Sequence, residues 1–205
     1  MITIYHAPMA RSLRVIWLCE ELGLDYTLKT YQLFTADMQS EAFLAVHPLG
    51  KVPAIDDDGF VLWETLAIIE YLVEKYSDGA LLPSRATPAG AEAVQWMEFA
   101  ENQLTVYASE VIVHDGVLPE ERIIPQLVDR GRQELPKMVG VAERALQGRD
   151  YILGDQFSAA DIMLGFAMPI AQYAGFVDDS TPNCQAYLQR IAARDAYQRA
   201  MAVDQ

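Results

Sequence analysis

The chain has 205 residues, of which 52% are apolar and 21% charged, a composition typical of a soluble globular protein and not of a disordered one. Its formal net charge of −14 argues against nonspecific binding to nucleic acid or to anionic membranes, so an anionic ligand would need a local cluster of donors. The chain start lacks a basic segment followed by an apolar one, and the longest apolar run, residues 162–170, is too short to span a bilayer.

The first part of the chain shows strand and helix patterns in turn. Ile2–Tyr5 alternates as a strand, and a helix is predicted from about Arg11 to Leu22, because apolar residues recur there at helical spacing and Gly23 follows as a stop. Tyr26–Leu33 predicts a second strand, followed by a polar loop and a short helix within residues 35–46. Two strands joined through a helix can pair in parallel.

The most informative segment is residues 47–68, HPLGKVPAIDDDGFVLWETLAI. Two apolar runs around an Asp-Asp-Asp-Gly turn predict an antiparallel hairpin, and a proline at the mouth of a strand is typical of an edge or a cis peptide. We therefore predict that the Val52-Pro53 bond is cis. Glu64-Thr65 then opens a helix to about residue 77, whose first amides suit a carboxylate. The segment predicts a corner that binds an extended peptide beside an anion site.

The second part of the chain is predicted to be all helical. Residues 79–87 are rich in turn residues and indicate a linker between a first domain, 1–78, and a second domain, 88–205. The helices predicted after the linker span residues 89–113, 119–147, 158–172, 181–193 and 194–202.

Phe157-Ser158-x-x-Asp161-Ile162 predicts a capped helix start. Ser158 is suited to accept a hydrogen bond from the Asp161 amide, and the Asp161 carboxylate to accept one from the Ser158 amide, while Phe157 and Ile162 form a hydrophobic staple. We interpret this motif as stabilising the fold and not as catalytic.

Three stretches, taken in order, together resemble the cytosolic glutathione transferases of the bacterial type, without indicating a class. They are the N-terminal segment MITIYHAPMARSLRVIWLCEELGL, the pair formed by Pro48–Pro53 and Glu64-Thr65, and the capping motif at 157–162. The resemblance implies an α/β thioredoxin-like N-terminal domain and an all-α helical-bundle C-terminal domain. It also implies glutathione as a co-substrate, a small hydrophobic electrophile as its partner in the reaction, and a role in detoxification.

Glutathione carries two carboxylates, an ammonium and a thiol, and the resemblance together with this chemistry names its contacts. The backbone at Val52-Pro53 would pair with the central cysteine, and Thr65 with the nearby helix amides would bind the γ-glutamyl carboxylate. Glu64 would neutralise the ammonium, whereas Lys51 and Gln39 would bind the glycyl carboxylate.

The group that activates the thiol departs from the family pattern. Relatives carry a Ser, Tyr or Cys near the start of the first helix, but here Ala10 occupies the usual serine position and Arg11 the position of the bacterial cysteine. The candidates are Arg11 through its charge, Ser12 through its hydroxyl, Tyr5 at the end of the first strand, and the helix amides.

The electrophile is predicted to lie against Met9, Ala10, Tyr107, Val111 and His114. Peroxidase or disulfide reductase activity, isomerase or dehalogenase chemistry on the same thiolate, and a non-catalytic glutathione-binding or protein-interaction module remain open alternatives.

Three further expectations concern assembly, metal and location. We expect a homodimer in which the 64–77 helix meets the 89–113 helix of the partner, because Trp96, Phe99, Gln103 and Tyr107 form a broad stripe. No residue spacing indicates a metal site. Cys19 and Cys184 form no disulfide framework, which favours a cytoplasmic protein with reduced thiols.

Overall fold

A computed structural model describes residues 1–204, and their contacts divide the chain into two compact units. The first unit combines residues 1–81 with the chain from Ala193 onward, and the second comprises residues 82–192. The last helix thus groups with the first unit, which differs from the predicted limits of 1–78, 79–87 and 88–205. As limits of separately folding domains, those boundaries stay a prediction.

The first unit is a four-stranded mixed sheet with helices. Its elements are β1 Ile2–His6, α1 Ser12–Leu22, β2 Tyr26–Thr30, α2 Glu41–Leu44, β3 Ala54–Asp57, β4 Phe60–Trp63, α3 Thr65–Ser77 and α9 Asp195–Ala202. The strand order is β2-β1-β3-β4, in which β1 and β2 are parallel and the other pairs are antiparallel. This arrangement confirms the α/β thioredoxin-like prediction. β2 ends at Thr30 and not at Leu33, because its partner strand ends at His6.

The hairpin of β3 and β4 is tied to α3 by one buried carboxylate. Asp57 accepts hydrogen bonds from the Tyr71 hydroxyl at 2.7 Å, Lys75 Nζ at 2.5 Å and the Tyr76 hydroxyl at 2.7 Å. Burial alone would raise the pKa of Asp57, but these donors outweigh it and hold the pKa below its usual value. The turn end of the hairpin is thereby tied to the second half of α3.

The second unit is helical apart from an isolated bridge between Tyr151 and Gly154. Its helices are α4 Pro88–Phe99, α5 Val106–Ile112, α6 Pro125–Ala145, α7 Ala159–Tyr173 and α8 Pro182–Ala192, and π-helical turns at Ala100–Thr105 and Val113–Val117 join and extend α4 and α5. α6 begins later than predicted, because Ile124, which precedes a proline, is extended and Pro125 starts the helix.

The start of α7 shows how the predicted capping motif works. Asp161 is completely buried, and its Oδ2 accepts from the Ser158 amide at 2.9 Å and from the Ser158 hydroxyl at 2.8 Å. Its Oδ1 accepts from the Ile152 amide at 2.9 Å. The carboxylate half of the predicted box is confirmed, and the same side chain also fixes the loop that precedes the helix.

The two thiols and the helix lengths complete the description. Cys19 and Cys184 are buried and form no disulfide, and burial raises the pKa of each thiol to about 12. Along residues 1–204, no helix combines the length and the apolar character that a bilayer crossing requires.

Candidate active site

The corner before β3 has the predicted backbone geometry. The Val52-Pro53 peptide bond is cis, which confirms the prediction. The register pairs of β3 with its two neighbours end at Ala54, which is opposite Tyr5 on one side and Trp63 on the other. The Val52 backbone therefore lies beyond the paired part of the sheet, where an extended peptide could add to it.

Gly50 brings a second segment against this corner. Its φ of 58° is left-handed, and a Cβ at this position would lie 2.2 Å from the Met38 carbonyl oxygen and 2.5 Å from Gln39 Nε2. Only glycine fits so close an approach. The contact sets the Gln39 side chain beside the loop that carries the exposed Lys51, so the structure brings these two predicted residues into one neighbourhood.

The anion site is predicted at the start of α3, where the backbone geometry is unusual. Glu64 has φ 76° and ψ 120°, a conformation that a non-glycine residue rarely adopts and that clusters at functional positions. Its carbonyl accepts the first helical hydrogen bond, from the Ile68 amide at 3.0 Å. Thr65 is the first helical residue and is buried, so its side chain and the following free amides are at the positive end of the helix dipole.

His47 supports the same loop from behind. Its Nδ1 accepts from the Leu49 amide at 3.1 Å, and its ring lies 5.3 Å from that of Trp63. Burial lowers the pKa of His47, although the nearby Glu64 opposes that shift. His47 thus stabilises the loop that carries Leu49.

The turn from β1 into α1 carries the candidates for thiol activation. Met9 has a left-handed φ of 58° and is 86% exposed, and Ala10 is partly buried. Arg11 is the N-cap residue of α1 and is partly exposed. The Leu13 and Arg14 amides of the first turn already donate to the Ala10 and Arg11 carbonyls, at 3.1 Å each. The turn can therefore offer a bound anion the charge of Arg11 and the positive end of the helix dipole.

Ser12 and Tyr5 are placed differently from Arg11. Ser12 is completely buried, and its hydroxyl contacts His6 Nδ1 at 2.9 Å and the Ala7 amide at 3.3 Å. Tyr5 is buried among the rings of Tyr31 and Phe43, with ring centroids 6.4 Å and 5.9 Å away. Ser12 thus contacts the turn and Tyr5 the core, and their roles at the thiol stay predictions.

Sequence reasoning missed Asp204 and its contact with His6. The Asp204 carboxylate contacts His6 Nε2 at 2.8 Å and accepts from the Met9 amide at 2.8 Å. Burial lowers the pKa of His6 more than Asp204 raises it, so the imidazole is neutral near pH 7. No local pattern could have indicated a contact between residues 198 positions apart.

The predicted electrophile residues of the helical unit have neighbours of their own. Arg130 lies 5.3 Å from the ring centroid of Tyr107, and His114 Nδ1 accepts from a backbone amide at 3.2 Å. Val111 is buried, and its side chain fills the space that a Cβ on Gly131 would need.

The predicted dimer stripe is partly used within this unit, because Trp96 is buried and lies edge-on to Phe99 at 5.4 Å. Throughout the described chain, no three His, Cys, Asp or Glu side chains are arranged to hold a metal ion.

Comparisons with known proteins agree with this geometry. Residues 1–74 match the family model described as glutathione S-transferase, N-terminal domain, and residues 125–190 match glutathione S-transferase, C-terminal domain. Glutathione S-transferase 3 of Zea mays is 31% identical over 208 residues, covering 97% of this chain and 92% of that protein.

A solved structure of a glutathione transferase family member is also similar to this chain. The crystal structure of a glutathione transferase family member from Pseudomonas fluorescens, with two glutathione bound, is 26% identical with a TM-score of 0.86, covering 98% of this chain and 92% of that one. With both halves matched and a relative aligned along nearly its whole length, the chain belongs to the glutathione S-transferase family.

Proposed function

We propose that this protein is a glutathione transferase that attacks small apolar electrophiles with the thiolate of glutathione. The observation that carries the proposal is the pairing of the cis Val52-Pro53 corner with the α3 N-terminus behind a left-handed Glu64. One element offers a free backbone for a peptide and the other offers amides for a carboxylate, in a chain of this family.

Each end of glutathione has a proposed partner. The cysteinyl backbone pairs with Val52, and the γ-glutamyl carboxylate binds Thr65 and the first α3 amides, which the helix dipole favours. Glu64 balances the ammonium, and Lys51 and Gln39 bind the glycyl carboxylate.

The thiolate is stabilised at the β1–α1 turn. A cation a few ångströms from sulfur in a partly dry site lowers a thiol pKa by about one to three units, more than one neutral hydroxyl does. Arg11 therefore takes the direct role, and the positive end of the α1 helix dipole adds to it. Ser12 and Tyr5, which are buried, contribute by stabilising the turn and the core beneath it.

The test compares Thr65→Val with Thr105→Val. Thr105 is also buried, and its hydroxyl donates to a backbone carbonyl in the helical unit, so its substitution is a matched control. Loss of a hydrogen bond to a carboxylate corresponds to about a 10-fold to 100-fold weaker Kd for glutathione in Thr65→Val. Isothermal titration measures Kd, and absorbance with a chloronitrobenzene substrate measures turnover.

Two results would contradict the proposal. The first is wild-type protein that neither binds glutathione nor turns over the substrate, and the second is equal weakening by both threonine variants. A pH titration of the bound thiolate in Arg11→Ala against Ser12→Ala tests the roles at sulfur, since the larger effect is expected in Arg11→Ala.

A non-catalytic glutathione-binding module is the second candidate. The observation that favours it is Ala10, which has no donor where relatives carry serine. Tight binding without turnover of a chloronitrobenzene, a hydroperoxide or a disulfide would support this candidate over the enzyme.

Assembly, location and the electrophile contacts belong to the same proposal. We expect a cytoplasmic, detoxifying homodimer, supported by the buried free thiols and by the family. Met9, Ala10, Tyr107, Val111 and His114 stay predicted as electrophile contacts. Light scattering that gave the monomer mass of 22.9 kDa at micromolar concentration would contradict the dimer.

A further inference from the structure

We propose that Asp204 is a positioning residue for thiol activation, because its carboxylate bridges His6 Nε2 and the Met9 amide and so fixes the turn that carries Ala10 and Arg11. This inference rests on the proposed glutathione transferase function. It concerns a residue that the sequence leaves far from the site and that does not itself touch the substrate.

A neutral His6 allows the donors and acceptors of this cluster to be paired. A neutral His6 that donates through Nε2–H to Asp204 Oδ1 must accept at Nδ1, and the Ser12 hydroxyl 2.9 Å away supplies that donor. The Ser12 oxygen in turn accepts from the Ala7 amide, while Asp204 Oδ2 accepts from the Met9 amide. Asp204 is thus connected to the turn directly at the Met9 amide and, through His6 and Ser12, at the Ala7 amide.

Asp204 is presented by an anchored helix. α9 packs against α1 through one aromatic pair and two ion pairs. They are Trp17 with Tyr197 at 4.9 Å between ring centroids, Arg194 with Glu21 at 2.7 Å, and Arg199 with Glu20 at 2.5 Å. The carboxylate that follows α9 is therefore held at a defined place beside the turn.

We call the bonds of Asp204 to His6 and to the Met9 amide the clamp. The clamp would affect the position of the glutathione sulfur and not the contacts of the peptide backbone. Met9 is left-handed, a conformation that a side-chain-bearing residue holds only when its surroundings impose it. The Met9 amide bond to Asp204 supplies such a constraint directly before Ala10 and Arg11. Because the peptide contacts proposed for Val52 and Thr65 lie on other elements, losing the clamp should lower kcat and leave KM for glutathione nearly unchanged.

The experiment uses Asp204→Asn, Asp204→Ala and Asp204→Glu in the full chain. Both partners of the carboxylate are N–H donors, so asparagine keeps one acceptor and turns its own NH₂ toward a donor. Asp204→Ala removes both hydrogen bonds without placing an NH₂ group against a donor, and it replaces Asp204→Asn in the test if that variant does not fold. Glutamate keeps two acceptor oxygens and is the rescue variant.

The matched control is Arg199→Gln, which removes only one of the three contacts between α9 and α1. The Trp17–Tyr197 and Arg194–Glu21 contacts remain and keep the Asp204 carboxylate beside the turn. Melting temperatures, kcat, KM for glutathione and the pH titration of bound thiolate absorbance are measured for all variants. We expect kcat about 10-fold lower in Asp204→Asn and Asp204→Ala, with KM within about 2-fold of wild type, as for a misplaced reacting group. Asp204→Glu recovers part of kcat, and Arg199→Gln stays near wild type.

The outcomes separate this inference from the proposed function. Wild-type turnover with an unchanged kcat and thiolate titration in Asp204→Ala overturns the positioning role alone. An equal loss of kcat in Arg199→Gln also overturns it, since general loosening of α9 would then explain the effect. Wild-type protein without glutathione binding overturns the proposed function, and the positioning role with it.

Discussion

Replacing Asp161 removes the acceptor for three donors at once in the completely buried start of α7. The amides of Ile152 and Ser158 both point at this carboxylate at 2.9 Å, and the Ser158 hydroxyl does so at 2.8 Å. In Asp161→Ala the hydroxyl can rotate to another acceptor, but the two amides cannot. Each buried donor left unpaired costs about 1–3 kcal/mol, so the two amides together cost about 2–6 kcal/mol of unfolding free energy.

The assay is denaturant unfolding followed by helical circular dichroism, with thermal melting beside it. For a chain of this size 1 kcal/mol corresponds to roughly 2–4 °C, so Asp161→Ala should melt roughly 5–20 °C below wild type. Asp161→Asn should lie between the two, because its amide oxygen can still accept from one side while its NH₂ faces a donor on the other.

Asp178→Ala is the matched control. Asp178 also accepts from a serine amide and a serine hydroxyl, both of Ser180, at 2.8 Å and 2.6 Å, but it is exposed to water. We expect its substitution to change the melting temperature far less, because water replaces the lost acceptor. Equal losses in Asp161→Ala and Asp178→Ala would refute the reasoning that burial sets the size of the effect.

Three further predictions follow from the first unit. Gly50→Ala should destabilise the protein more than Gly23→Ala, because both glycines are left-handed but only Gly50 lacks room for a Cβ; equal melting temperatures would contradict this. Asp57→Asn should lower the melting temperature, because three donors from α3 lose their charged acceptor; an unchanged unfolding midpoint would show that the ties are unimportant. Finally, burial is the main reason why the pKa values of His6 and His47 lie below the ordinary 6.5. At a pH between 6.5 and those lower values, the unfolded chain therefore binds more protons than the folded chain. Stability should therefore fall as the pH drops below 6.5, and melting temperatures that rise on acidification through this window would contradict the shift.

The sequence predicted the features that depend on neighbouring residues. The cis peptide at Val52-Pro53, the stop of α1 at Gly23 and the carboxylate cap at Asp161 each follow from a residue type with few conformational choices. Local chemistry decides such features, so one chain is enough to predict them.

Features that depend on distant segments were not predictable in this way. Tyr5 lies at the end of an alternating strand, but its burial comes from Met38 and Phe43, in the segment with the weakest pattern. The direction of the Ser12 hydroxyl depends on where β1 places His6. Asp204 reaches the turn only because α9 packs on α1, and periodicity gives no information on which helices meet.

The grouping of α9 with the first unit has a consequence for the order in which the nascent chain can fold. Residues 1–81 leave the ribosome first, but Trp17, Glu20 and Glu21 must wait for their α9 partners until all of residues 82–192 have been made. The helical unit, by contrast, is continuous in sequence and can close as soon as it has emerged. The unit whose synthesis begins first is therefore completed last, and until then Trp17 of its first helix lacks the Tyr197 ring that packs on it.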